Sequence, residues 1–263
     1  MLLQKCLGHF GLTPVLLRVY SLMSFAAGKV MLITGPTNGI ALSLVERFTK
    51  ADEKPKKMVL VSRNPEKLES TKKMVEQAGI EASTYVCDVS SAEQCLRTVE
   101  TIVKAEPELH ILVSNAGQWV DHANKATVTD ASGATHEFHF AINFLSMALL
   151  VRGLTPLLEK SASPGSPSRI VISGSFFGGM VHNPPTSCCD VDLDDVGKFE
   201  ARDVNGCPFS PLCFPACLGF YNLHSYSESK LLQHLWAKHY AAEILVSDTG
   251  SQPAPLMQLL PAD

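Results

Sequence analysis

No acidic residue precedes Glu46 in this chain of 263 residues. The first 28 positions are basic and apolar, a composition that suits a transit peptide, and "RVYS" within them resembles a mitochondrial presequence cleavage site. Lys5 and Arg18 interrupt the apolar positions, so no uninterrupted span reaches the roughly 18–20 residues of a transmembrane helix. Three readings of residues 1–28 stay open. The segment is a mitochondrial targeting sequence, an interfacial anchor whose Leu and Phe side chains enter a membrane surface, or a plain extension.

Other absences narrow the class. The formal charge is −4, the pI is near 6.1, and no basic stripe gathers, so nothing attracts a phosphate backbone and nucleic acid is excluded as a partner. No C-x-x-C pair occurs among the eight cysteines, five of which (Cys188, Cys189, Cys207, Cys213, Cys217) crowd one loop-like region. That spacing does not suit zinc, so no metal is expected, and scattered thiols suit an intracellular protein. There is no internal repeat. Hydrophobic residues make up 46% of the chain, enough for a packed core and too many for disorder.

From Lys29 onward apolar runs alternate with helical spacing. "KVMLIT", "KKMVLVSR", "ASTYVCDV", "HILVSNAG" and "SRIVISGS" are short strand-like runs. Between them lie amphipathic stretches. In "GIALSLVERFTKA", Ile40, Leu44, Val45 and Phe48 share a face. "NPEKLESTKKMVEQAG" has proline near its start and glycine at its end, and "SAEQCLRTVETIVKA" begins with Ser90 or Ser91 as cap. "HEFHFAINFLSMALLVRGLTPLLEK" reads as one long helix. Alternation of this length implies βαβ units, hence a doubly wound parallel sheet, a Rossmann-type three-layer α/β/α domain over residues 29–263.

In such sheets ligands sit beyond the carboxyl ends of the strands. The first strand ends in "TGPTNGIA". Gly35 permits a tight turn, and Gly39 lets backbone approach a phosphate, with Thr37, Asn38 and Ile40 beside it at a helix N-terminus. Ala41 stands where a third glycine often lies. No Asp or Glu ends the second strand to accept from a ribose hydroxyl pair. Ser62 and Arg63 stand there, and a guanidinium suits a 2′-phosphate, which favours NADP(H) over a plain surface arginine. Asp88, beside Val89, either accepts from an adenine amino group or caps the next helix. Asn115 offers an amide to neighbouring strands, while Ala116 and Gly117 leave room for a flat ligand or simply form a turn.

Ser175 ends the fifth strand, and "HSYSESKLLQHL" supplies Tyr226 and Lys230 four positions apart, on one helical face. Bringing a phenol from about 10 to near 7 takes roughly 4 kcal/mol, and a neighbouring ammonium supplies part of it. Tyr226 then donates a proton to a carbonyl oxygen, and Ser175 hydrogen-bonds the same atom. Asn143, a polar residue in an apolar stretch, either anchors a water leading to Lys230 or is purely structural.

"TGPTNGIA", "CDVS", "SNAG", Asn143, "VISGS" and "YSESK" occur in the order and spacing of the short-chain dehydrogenase/reductase family, which the chain resembles from Lys29 to about Ala242. The resemblance implies a catalytic tetrad of Asn143, Ser175, Tyr226 and Lys230, a carbonyl or alcohol substrate and often a homodimer. "CDVDLDD" and the long gap between Ser175 and Tyr226 resemble the retinol dehydrogenase-like branch. Against the family pattern stand the cysteine-rich residues 197–222, longer than the usual segment, and a tail in which "LMQLLP" is taken as the sixth strand with no last strand after it. The expectation is an NADP(H)-dependent oxidoreductase, a carbonyl reductase for a hydrophobic aldehyde or ketone. The alternative is a truncated relative that binds cofactor or a partner without turnover.

Overall fold

The structure, a computed structural model, describes residues 24–120, 127–175, 178, 223–247 and 256–260. Most of the N-terminal segment and all of the cysteine-rich stretch 197–222 lie outside the described residues. The elements are β1 (Val30–Thr34), α1 (Gly39–Lys50), β2 (Lys57–Ser62), α2 (Pro65–Gln77), β3 (Glu81–Val86), α3 (Ala92–Ala105) and β4 (Ile111–Ser114). Then come a small hairpin, β5 (Thr127–Thr129) and β6 (Thr135–Glu137), a π-helical turn at Phe140–Leu145, and α4 (Ser146–Ser161). β7 (Arg169–Ser173), α5 (Leu223–Ser247) and β8 (Leu256–Leu260) follow.

Six strands form one parallel sheet in the order β3-β2-β1-β4-β7-β8. Its two faces can be read from the strand residues themselves. Val30 and Leu32 of β1, with Val59 and Val61 of β2, enter a core shared with Val99, Ile102, Leu150, Leu154, Ala237 and Ile244 of α3, α4 and α5. Met31 and Ile33, with Met58 and Leu60, enter the opposite core with Val45, Phe48, Leu68 and Val75 of α1 and α2. Successive strand side chains alternate in direction, so a strand apolar at every position demands cover on both sides. The sheet is therefore doubly wound, a three-layer α/β/α arrangement as the alternation predicts. "LMQLL" is a strand of it, β8, with Leu256–Leu260 paired parallel to Arg169–Ser173.

Local signals place the helix ends. Asn64 accepts from the Lys67 backbone N–H and Pro65 follows at the first position of α2. Of the two candidate serines, Ser91 caps α3 by accepting from Gln94 N–H, while Ser90 bonds Asp88.

Two expectations are corrected. The buried stripe of α1 is Ala41, Val45 and Phe48, whereas Ile40 is 59% exposed and Leu44 only half-buried. A small residue at position 41 lets the start of the helix lie close to the sheet, which rotates its bulkier neighbour outwards. The stretch predicted as one long helix is three elements. Thr135–Glu137 pairs with Thr127–Thr129, Phe140–Leu145 is a π turn, and only Ser146–Ser161 is α-helix. The helical stretch Phe140–Ser161 is apolar and long enough to cross a membrane, but most of it is buried inside the domain. That burial marks a core element of a doubly wound fold.

Candidate active site

Parallel strands end at one edge of the sheet, and the loops after β1, β2, β3 and β4 meet there in a cavity of about 380 Å3, within the range of small-molecule pockets. Its walls include Gly35, Thr37 and Asn38 from the first loop and Ser62, Arg63 and Lys67 from the second. Asp88 and Val89 come from the third, and Asn115, Ala116 and Gly117 from the fourth. The cavity lies at the reversal of strand order between β1 and β4, where doubly wound sheets open a crevice. Gly39 and Ile40 are not part of the wall; they form the first turn of α1.

Thr34 sets the crevice. Its hydroxyl oxygen accepts from both Asn115 N–H and Ala116 N–H at 2.9 Å, tying the loop after β4 to the end of β1. Gly35 then turns at φ +71°, and a Cβ there would sit 3.3 Å from Ala116 Cα. A side chain at Gly35 would be strained in torsion and crowded in space. The Asn115 side chain links β4 to β7 by accepting from the Ser173 hydroxyl at 3.0 Å, the strand bridge its amide suggests. The Thr37 and Ser62 hydroxyls pair at 3.1 Å, tying the first loop to the end of β2. Arg63 and Lys67 put two cations on one part of the wall. Lys67 escaped the sequence reading, although one helical turn from Arg63 was the signal for it.

Asn143 is fully buried in the π turn, and its amide is committed. Oδ1 accepts from Gln118 N–H at 2.8 Å, and Nδ2 donates to Gln118 C=O at 3.1 Å and to Ser229 Oγ at 3.0 Å. Its own carbonyl accepts from Gln233 Nε2 at 2.6 Å. A π turn shifts backbone bonds to the i→i+5 pattern, as Ser146 N–H to Ala141 C=O shows here, and disturbs the carbonyls around it. Gln233 meets that need from α5. Ser229 also donates to Tyr226 C=O at 2.7 Å. Asn143, Ser229 and Gln233 thus join the π turn, the Gln118 loop and α5. Neither Ser229 nor Gln233 stood out in the sequence, where they look like polar positions on a wet helix.

Tyr226 and Lys230 lie on the first turns of α5. The Lys230 ammonium is 5.8 Å from the Tyr226 ring centroid and donates to Ser173 C=O at 3.3 Å, at the end of β7. Gly117 makes this convergence possible, since a Cβ there would lie 3.0 Å from Asn143 Oδ1 and 3.5 Å from Lys230 Nζ. Burial pulls the Lys230 pKa down to about 8. Ser175 is buried two residues beyond β7. The structure therefore gathers Asn143, Tyr226 and Lys230 beside Gly117, at the end of the cavity's fourth loop.

A family model described as short chain dehydrogenase matches residues 29–186. The chain belongs to the short-chain dehydrogenase family. The chain is 30% identical over 135 residues to a fatty acyl-CoA reductase of Acinetobacter baylyi, covering 51% of this chain and 43% of the relative. It is 28% identical over 225 residues to a polyprenol dehydrogenase of Danio rerio, covering 83% of this chain and 57% of that one. The chain thus spans about half the length of the curated relatives it matches. Among solved structures it resembles a short-chain dehydrogenase/reductase from Burkholderia phymatum in complex with NAD, at TM-score 0.60 and 18% identity over 90% of this chain and 66% of the other. It also resembles a Pseudomonas aeruginosa RhlG/NADP active-site complex, at TM-score 0.57 and 21% identity over 84% and 70%. These likenesses establish the fold.

The residues present fit a dinucleotide. The cavity brings together a glycine turn, the N-terminal side of α1, hydroxyls, an acceptor at Asp88 and two cations. A phosphate-rich, elongated ligand finds donors and positive charge there.

Proposed function

We propose that the protein is an NADP(H)-dependent oxidoreductase acting on a carbonyl or alcohol substrate, with Tyr226 as general acid and base. The observation that carries this is the placement of Lys230, buried and 5.8 Å from the Tyr226 ring, at the strand edge where the cavity opens. In this reading Gly35, Thr37, Asn38, Arg63, Lys67, Asp88, Asn115 and Gly117 hold the dinucleotide. When bound, the nicotinamide supplies or accepts the hydride. The choice of NADP(H) rests on Arg63 and Lys67, since the cavity offers no carboxylate at the end of β2 for a free ribose hydroxyl pair.

Tyr226 donates its phenolic proton to the substrate oxygen in reduction and takes it back in oxidation. Lys230 stabilises the phenolate through its nearby positive charge, an effect enlarged where water is scarce. Ser175 holds the substrate oxygen by a hydrogen bond. Asn143 keeps the Gln118 loop and α5 in register, so that Tyr226 and Lys230 reach the same site. A hydrophobic substrate is supported by the two relatives named above, whose names carry a fatty acyl and a polyprenol group. Kinship with retinol dehydrogenases rests on "CDVDLDD" and the long gap before Tyr226, and a preference for retinal over short aldehydes would test it.

The decisive experiment follows NADPH oxidation with a panel of aldehydes and ketones, wild type against Tyr226→Phe. The variant keeps the ring and loses only the proton donor, so turnover falls about a hundredfold or more. Equal rates would remove Tyr226 from the mechanism. Cofactor binding without turnover in either would favour a binding protein. Residues 1–28 remain proposed as a mitochondrial targeting segment or a membrane-surface anchor. Fusing them to a fluorescent reporter distinguishes the two, and a diffuse signal would refute both.

A further inference from the structure

Beside Tyr226 stands a buried acid–imidazole pair. The rings of His139 and Tyr226 meet edge to face, with centroids 5.9 Å apart and planes at 80°. His139 and Glu137 are both buried, and His139 Nδ1 lies 2.7 Å from Glu137 Oε1. The other ring nitrogen, Nε2, accepts from Val120 N–H at 3.2 Å. An accepting Nε2 leaves the proton on Nδ1, so the imidazole donates to the carboxylate. Glu137 Oε2 accepts in turn from Phe140 N–H at 2.7 Å, at the start of the π turn that carries Asn143.

This arrangement does more than fill space. A buried imidazole and a buried carboxylate are costly unless paired, and an aromatic hydrocarbon would occupy the same volume without that cost. What the polar pair adds is orientation. Two hydrogen bonds on the two nitrogens fix the imidazole plane, and turning the ring breaks both. The fixed ring then abuts Tyr226 on one flank while Lys230 stands 5.8 Å from the Tyr226 centroid. Proton transfer is sensitive to placement at the level of an ångström.

We propose that His139, locked by Glu137 and Val120, is a positioning residue that holds the Tyr226 phenol in the orientation proton transfer needs. The inference rests on the general-acid role assigned to Tyr226 above. It touches neither cofactor nor reacting atoms; it acts through the tyrosine.

A double-mutant cycle on NADPH-dependent turnover tests it. His139→Phe keeps an aromatic ring but loses both anchoring hydrogen bonds. It should lower kcat roughly tenfold or more, with KM and the NADPH-induced rise in melting temperature retained. In a Tyr226→Phe background the same change should have no further effect, because the group it positions is gone. Full kcat in His139→Phe, or an equal loss in both backgrounds, would overturn the proposal. Should His139→Phe not fold, the comparison moves to Glu137. Glu137→Gln keeps one acceptor, for Nδ1–H, and sets its NH2 against the Phe140 N–H, whereas Glu137→Ala loses both acceptors. Turnover should fall in both and further in Glu137→Ala, and equal rates in the two would count against the role. A wild type without turnover refutes the general-acid reading instead. The positioning contact is then decided by NMR of 13C-labelled tyrosine rings, with Tyr226 assigned by Tyr226→Phe. A displaced Tyr226 signal in His139→Phe supports the contact, and an unmoved one overturns it.

Discussion

At Lys230 stability and chemistry pull in opposite directions. The proposed mechanism wants an ammonium beside a phenol, yet Lys230 is 5% exposed and burial alone lowers its pKa from 10.5 to about 8. The folded value lies below the unfolded one, so between about pH 8 and 10.5 the unfolded chain carries the extra proton. Stability therefore rises with pH across that window, by roughly 3 kcal/mol at most. In Lys230→Met, urea denaturation should show this rise flattened. Stability at pH 7 should be higher by about 1 kcal/mol or more, while turnover falls at least about a hundredfold. A variant less stable than wild type at pH 7 would contradict the picture of a strained charge. Asn143 makes a related point at the same scale. Its oddness in an apolar stretch drew attention to it, but the sequence could not say what its amide holds. The answer, Gln118 and Ser229, lies 25 and 86 positions away.

Between elements, α4 packs tightly on α3. A Cβ on Gly153 would lie 2.7 Å from Val99 Cγ1 and 3.0 Å from Cγ2, and a valine has no flexible end to move aside. Alanine in place of a helical glycine gains about 1 kcal/mol of propensity, whereas forced overlap in a packed core costs roughly 1–3 kcal/mol. Gly153→Ala should therefore lower stability in the wild type and raise it in a Val99→Ala background, read by urea denaturation of the four proteins. A stabilising effect in both would show that the helices separate freely. The same helix shows what pattern reading misses. Apolar spacing runs unbroken through "HEFHFAINFLSMALL", so it predicts one helix. It is blind to the switch from i→i+4 to i→i+5 bonding at Phe140–Leu145 and to the pairing of Thr135–Glu137 with β5. The Asp130–Gly133 turn was a usable signal for that hairpin, with Asp130 Oδ1 accepting from Ser132 and Ala134 N–H groups.

Across the whole molecule, loops far apart in sequence end at one sheet edge and line one cavity, the proposed cofactor site. Cofactor binding there is read as added stability, about 2.7 kcal/mol at a hundred times Kd. Arg63→Ala should weaken NADPH binding by roughly tenfold or more while leaving NADH little changed, measured as the shift in melting temperature with each cofactor. Equal losses for both would take Arg63 away from the 2′-phosphate and return it to the surface.

The six strands of the main sheet, the proline start of α2, a serine cap on α3, the Gly35 turn and the order of the motifs were legible in the sequence because each is a local matter. A two-sided apolar strand, a capping side chain or a positive φ depends on a few neighbouring residues. What the tertiary structure alone decided is which distant side chains meet. Gln233 reaches Asn143 across 90 positions, Lys67 joins Arg63 on a cavity wall, and His139 comes to rest against Tyr226. Those contacts follow from the strand order β3-β2-β1-β4-β7-β8 and the angle at which α5 crosses the π turn. No periodicity within one segment encodes either.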